Sequence, residues 1–178
     1  EFSTLRPRGA YVAGAGAHTS GPMSFMDIYD RMCFTVSSAG GRRGAQMGTF
    51  DVGHPDTVDF VRAKRENGRL RQFNLSLLVT DEFIEAVRGD RDWKLAFPLP
   101  QREYDPALHD LQDPAAFVWR EWPETEGYVA NEDGLVACRI YKTLLAECLW
   151  DVIMASIYDF AEPGFVLIDR VNEMNNNW

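Results

Sequence analysis

The sequence is poor in cysteine. Cys33, Cys138 and Cys148 form an odd set without tight spacing. Such a set excludes a disulfide scaffold, and the reducing cytoplasm is the expected setting. Histidine is equally scarce. His18, His54 and His109 lie far apart, with no Cys-x-x-Cys or His-x-x-x-His pair to hold a metal. No apolar run approaches the roughly 20 residues that a membrane helix requires. No basic-then-apolar leader opens the sequence, so no secretory address is expected.

What is present is globular in kind. A length of 178 residues fits one domain, and no linker divides it. With 46% hydrophobic and 12% aromatic residues there is bulk for a core. The net charge of −9 is uneven: residues 1–80 carry 10 Lys and Arg against 7 Asp and Glu, whereas residues 81–178 carry 8 against 20. An acidic chain is a poor general nucleic-acid binder, yet its basic first half could hold a small anion such as a nucleotide phosphate. The bland alternative is a fluctuation on a solvated surface.

Glycine is uneven too, with eight of 14 inside residues 1–48. That quarter reads as two loops around one helix. The helix starts at Gly21-Pro22, carries Phe25, Ile28, Tyr29, Met32, Cys33 and Val36 at helical spacing, and ends over Ser37–Gly41. Gln46–Asp51 reads as a strand. His54-Pro55-Asp56 opens a second helix that stops at Asn67-Gly68. Phe73–Val79 is the clearest strand, and Thr80-Asp81 caps a short helix closed by Gly89. Trp93–Phe97 is a further strand, and the Pro- and Asp-rich run Pro98–Pro114 is an excursion. Phe117–Trp122 and Tyr128–Ala130 read as edge hairpin strands. Ala137–Tyr141 leads into a long helix bearing Leu145, Leu149, Val152, Ile153, Ser156 and Ile157. Glu162-Pro163-Gly164 ends that helix. Phe165–Ile168 is expected to be a buried strand, followed by a polar tail. Alternating helices and strands argue for an α/β fold.

Familiar motifs fail. Gly14-Ala15-Gly16-Ala17-His18-Thr19 lacks the sixth residue and the helix of a dinucleotide fingerprint. Gly16 and Gly21 are not followed by the Lys-Ser/Thr of a phosphate loop. No Gly-x-Ser-x-Gly elbow occurs. His54 reads as a surface or helix-capping residue rather than a ligand. Cys33 and Cys148 read as buried, inert thiols on helix faces. The run Gly40-Gly41-Arg42-Arg43-Gly44-Ala45-Gln46-Met47 is more informative. It places two guanidinium groups, suited to phosphates and flat bases, in a loop that glycine lets reorganise. Arginines at the negative end of a helix are the equally good bland reading. Arg6-Pro7-Arg8-Gly9 is a weaker anion candidate of the same kind.

Taken in order, these runs resemble one family closely, the class II, adenosylcobalamin-dependent ribonucleotide reductases. The matching runs are Phe2–Gly9, Ser20–Met26, Gly40–Met47, His54-Pro55-Asp56 with Phe60 and Lys64, Phe73–Ser76, Ala161–Phe165 and Ile168–Asn172. The resemblance extends from Phe2 to Trp178, with residues 98–135 looking like an insertion seen in one bacterial branch. It implies one incomplete segment, residues 1–178, of a ten-stranded α/β barrel. The implied activity is reduction of the ribonucleotide 2′-hydroxyl by thiyl radical chemistry, with diphosphates as the favoured substrate. Adenosylcobalamin is the implied cofactor. The implied partners are a ribonucleotide substrate, a deoxynucleoside triphosphate effector, a thioredoxin-like or glutaredoxin-like reductant and a second copy in a homodimer.

The departures matter as well. The family's Asn-Pro-Cys-Gly-Glu segment, with its radical cysteine and carboxylate, has no counterpart here, and Asn175-Asn176-Asn177-Trp178 resembles the run that precedes it. No catalytic role is carried to Cys33, Cys138 or Cys148. What carries over is regulation. Arg6, Arg8, Gly14 and Gly16 match an effector-binding stretch whose flexible loop runs from Arg8 to Gly21. Ser38, Ala39, Gly40, Gly41, Arg42, Arg43, Gly44, Ala45 and Gln46 match a second loop that links the effector to the base chosen for reduction. The helix over Pro22–Val36 joins the two and resembles part of a helical dimer surface. On this reading the chain is a fragment, inactive and aggregation-prone alone. The alternative is a non-catalytic nucleotide-binding or interaction module using Arg6, Arg42 and Arg43. A glycyl-radical enzyme on the same barrel fits less well, since it has no place for the Gly-Gly-Arg-Arg run.

Overall fold

The computed structural model describes residues 1–12, 14–36, 44–65 and 69–176. In chain order the elements are β1 (Tyr11–Val12), β2 (Ala17–His18), α1 (Pro22–Val36), β3 (Gln46–Asp51) and α2 (Thr57–Arg62), which runs into a 3₁₀ turn over Ala63–Arg65. Then come β4 (Phe73–Val79), α3 (Asp81–Arg88), β5 (Asp92–Pro98), β6 (Phe117–Arg120) and β7 (Val136–Leu145). The last are α4 (Ala146–Phe160), β8 (Gly164–Leu167) and α5 (Ile168–Glu173). The chain forms two compact units, residues 1–93 with 144–178, and residues 94–143.

The larger unit is built on a parallel sheet in the order β3-β4-β8. Gln46 pairs with Phe73 at one end of the β3–β4 ladder, and Ser76 pairs with Gly164 at the start of the β4–β8 ladder. On β4, Phe73, Leu75, Leu77 and Val79 are buried while the residues between them are more exposed, as a period of two dictates. Helices cover the sheet because parallel strands need crossovers. Phe50 stacks on Phe60 of α2 at 4.7 Å, and Phe83 of α3 meets Trp93 edge-on at 5.0 Å. α4 turns Ala146, Leu149, Ile153 and Ser156 inward. The buried Ser156 hydroxyl donates to Val61 O and accepts from Arg65 Nε, so no polar atom there is stranded. Thr80 caps α3 by accepting from Phe83 N, and Gly89 closes it.

The smaller unit is a three-stranded sheet in the order β5-β7-β6, with β6 and β7 antiparallel. Its core is Ala96, Val136 and Cys138, packed by Val118, Trp122, Tyr128 and Ile140. Tyr128 and Ala130 form isolated bridges rather than a full strand. The excursion after Pro98 contains one 3₁₀ turn, Gln101–Glu103, and a series of Asp-stabilised turns.

Five expectations need correction. The strand over Phe165–Ile168 is not buried: Phe165 is 46% and Leu167 40% exposed, because among the described residues β8 lies at the sheet edge with β4 as its one neighbour. Ile168 belongs instead to α5 (Ile168–Glu173), which takes in the first two residues of the polar tail expected from Asn172 to Trp178. Leu145 closes β7 and is not on the helix, and Cys148 is exposed because the inward stripe of α4 passes on either side of it. On α1 the structure buries Pro22, Met23, Met26 and Cys33, whereas Phe25, Ile28, Tyr29 and Met32 of the expected stripe are exposed.

The sheets among the described residues have two, three and three strands, and none closes on itself. The α/β class stands; barrel closure lies beyond what these residues form. No helix among them is long and apolar enough to cross a membrane.

Candidate functional site

The site grows from a short hairpin. β1 and β2 pair Tyr11 with His18 and Val12 with Ala17. The neck below is closed by Gly9 N–H to Thr19 O and Thr19 N–H to Ala10 O, both 2.9 Å. Gly21 then turns the chain into α1 at φ +84°, and a Cβ there would lie 2.8 Å from Arg8 Cβ and 2.9 Å from Arg8 N. Only glycine permits both the backbone angle and this approach. The hairpin neck and the start of α1 are therefore packed directly on Arg8.

A second segment fastens the same stretch from below. Ser3 Oγ accepts from Asp51 N at 2.7 Å. His54 is 2% exposed. Its Nδ1 accepts from Asp56 N and its Nε2–H donates to Leu5 O, both at 3.0 Å. Burial pushes the imidazole down to about 4, the Leu5 bond opposing, so at neutral pH the ring is uncharged. This corrects the surface reading of His54: the ring caps the turn before α2, but from inside. Asp56 completes the clasp by accepting from Arg8 N at 2.8 Å. Its carboxyl is pushed above the usual carboxylate range, first by burial and then by Asp59, while the Arg8 N–H and the Arg8 charge oppose the rise.

Together these segments wall a cleft of about 630 Å³ lined by Arg8, Gly21, Ser24, Asp56, Arg62 and Arg69, among others. Arg8 and Arg62 are exposed. Arg69 is braced by a bidentate pair with Asp27 of α1, both contacts 2.9 Å. The positive end of the α1 dipole faces the same space. Guanidinium groups, a helix start and hydroxyls suit a phosphate-sized anion.

Of the residues expected at an effector site, Arg8 lines this cleft. Arg6 donates from Nη1 to Tyr11 O at 3.0 Å and is not among the lining residues. Gly14 and Gly16 lie in the β1–β2 turn, Gly16 at φ +60°, and do not line it either. In the second loop, Ser38, Ala39, Gly40, Gly41, Arg42 and Arg43 lie outside the described residues. Gly44 and Ala45 lead into β3, where Gln46 N–H donates to Gln72 O at 2.7 Å. The Gln72 N–H in turn donates to Asp30 of α1 at 2.7 Å. Asp56, Arg62, Arg69 and Gly21 were not singled out as site residues. His54-Pro55-Asp56 reads as a helix start and as one of the runs of the family resemblance, although a histidine two residues before an aspartate at such a start also offers a nested cap.

Of the three thiols, Cys33 is buried in α1, Cys138 is buried in the smaller unit, and Cys148 is exposed on α4. No group of three His, Cys, Asp or Glu among the described residues could hold a metal.

The α/β unit thus carries an arginine-lined cleft at the start of a helix. Residues 1–178 match the family described as "Ribonucleotide reductase, barrel domain" over their whole length, and the chain belongs to that family. It is 35% identical over 175 residues to a vitamin B12-dependent ribonucleoside-diphosphate reductase of Mycobacterium tuberculosis (strain CDC 1551 / Oshkosh), covering 98% of this chain and 20% of that protein. A protein of the same name from Thermoplasma acidophilum is 29% identical over 175 residues, covering 98% of this chain and 18% of its own length. A vitamin B12-dependent ribonucleotide reductase of Rhodopirellula baltica is 33% identical over 118 residues, covering 53% and 11%. The chain thus spans about one fifth of the length of the first two of these relatives.

Proposed function

We propose that this chain is part of the catalytic chain of an adenosylcobalamin-dependent ribonucleoside-diphosphate reductase working in the cytoplasm. The observation that carries the reading is the match of all 178 residues to the barrel-domain family, joined to 35% identity with a B12-dependent member. The parallel sheet β3-β4-β8 is then one arc of a ten-stranded barrel, and its open edges are where further strands would add. Residues 1–178 are one segment of that barrel, with the two ligand loops inside residues 1–48 and an insertion over about 98–135.

Within this reading the cleft beside Arg8 receives the phosphates of a deoxynucleoside triphosphate effector. Arg6, Gly14 and Gly16 shape the adjoining hairpin. The loop from Ser38 to Gln46 passes the effector's identity to the substrate base, with Arg43 as its contact. Two arrangements of such a loop, each favoured by a different ligand, are sufficient for coupling. The exposed Phe25, Ile28, Tyr29 and Met32 on α1 suit a homodimer surface.

Adenosylcobalamin supplies the initiating radical when bound. No residue described here is assigned to hold it, or to meet a thioredoxin-like or glutaredoxin-like reductant. The test is an assay of the full catalytic chain carrying these residues, with a ribonucleoside diphosphate and a dithiol reductant. Deoxynucleotide formation that requires adenosylcobalamin is expected. A purified, folded chain that forms none would overturn the reading.

A further inference from the structure

Asp56 is out of place electrostatically. It lines a cleft whose arginines suit an anion, and a carboxylate there opposes that ligand. Its geometry gives it another task. The carboxylate accepts from the peptide N–H of Arg8 across 48 residues of sequence, at 2.8 Å. Asp56 is itself rooted, because its own N–H is held by the buried His54 ring, which also holds Leu5 O. The Gly21 backbone also presses against Arg8, so closely that no side chain fits between them.

We propose that Asp56 is a positioning residue of the anion cleft: by holding the Arg8 peptide against Gly21, it fixes where the Arg8 guanidinium meets the phosphates of a nucleotide effector. The inference rests on the effector reading above and deepens it. His54 braces Asp56 and has no contact with the ligand. The negative charge of Asp56 is incidental to this work, and its acceptor oxygen is the part that matters. An asparagine keeps such an oxygen and loses the charge, whereas an alanine loses both.

The experiment uses the full catalytic chain with dATP and dTTP as probes, their dissociation constants being read by calorimetry beside a thermal melt of each variant. Asp56→Ala is expected to weaken binding about tenfold, the scale of one net hydrogen bond. Asp56→Asn is expected to bind within about twofold of the parent, or more tightly as a repelling charge is removed. In an Arg8→Ala background the loss caused by Asp56→Ala should vanish, which a merely structural role would not produce. Gly21→Ala, acting through the second of these contacts, should weaken binding by a similar factor and does not depend on Asp56→Ala folding.

Three results would overturn the proposal. The first is Asp56→Asn binding about tenfold more weakly with an unchanged melt. The second is Asp56→Ala and Gly21→Ala binding like the parent. The third is an equal loss from Asp56→Ala with and without Arg8. A parent chain that binds neither nucleotide fails differently, because it removes the effector reading itself.

Discussion

Two turns in this chain use the same chemistry to different ends. In the larger unit, the turn from Asp51 to Thr57 binds Ser3, Leu5 and Arg8, segments 48 or 49 residues away, through groups that are buried or nearly so. In the smaller unit, Asp105, Asp110 and Asp113 each accept a backbone N–H two residues ahead, in the open. Both sets are side-chain to backbone hydrogen bonds of 2.7 to 3.0 Å. The exposed set exchanges with water at little net gain, whereas the buried set leaves unsatisfied groups if broken. The first turn therefore acts as a fastener between distant segments, and the second only shapes its own loop.

Substitutions should separate the two sharply. His54→Ala strands Leu5 O and Asp56 N and opens a cavity, and a loss of about 3 to 4 kcal/mol is expected in a urea melt. A loss under about 1 kcal/mol would place the turn in the same class as the exposed one. Acid should attack the first turn next. The folded imidazole titrates at about 4 against 6.5 for the free group. The unfolded chain therefore binds the proton first as pH falls. His54 thus contributes no penalty above about pH 6.5 and a growing one between 6.5 and 4, reaching about 3 kcal/mol. Asp56, whose carboxyl is raised, works in the opposite sense and softens the fall. Melts across this window on the parent and on His54→Gln give the slope, which should flatten in the variant.

Thr57→Val removes a hydroxyl that donates to Asp51 O at 2.6 Å, and a loss of about 1 kcal/mol is expected. Asp110→Ala, in the exposed turn, should change the melt by less than about 0.5 kcal/mol. If Asp110→Ala cost as much as Thr57→Val, burial would not be what distinguishes the two turns.

The contrast also explains what could be read from sequence. Local signals were legible: Gln46–Asp51 and Phe73–Val79 are strands over the expected residues, Thr80 and Gly89 bound α3, and Pro22–Val36 is one helix. Each is decided by periodicity or by a cap within a few residues. What sequence hid is long-range. Whether Phe25 and Ile28 are core depends on which side of α1 is covered, and the helix buries Met23 and Met26 instead. The burial of His54 follows from contact with Leu5, 49 residues away, which no local pattern encodes. At the cleft, Arg8 was legible as a cation beside glycine. Its partners Asp56, Gly21, Arg62 and Arg69 meet it only once the chain has folded.

The Gln72 backbone has a mechanical consequence. Its N–H and C=O sit on two successive planar peptide units joined at one Cα, so the distance between them changes little. At one end of the linkage it grips Asp30 on α1, and at the other it grips Gln46, the first residue of β3. It is in effect a tie rod between a helix and the root of the glycine- and arginine-rich run. A slide of α1 by one helical turn, about 5.4 Å, exceeds what either hydrogen bond can span. The helix must therefore carry the start of β3 with it, or release it by giving up a bond at Gln72.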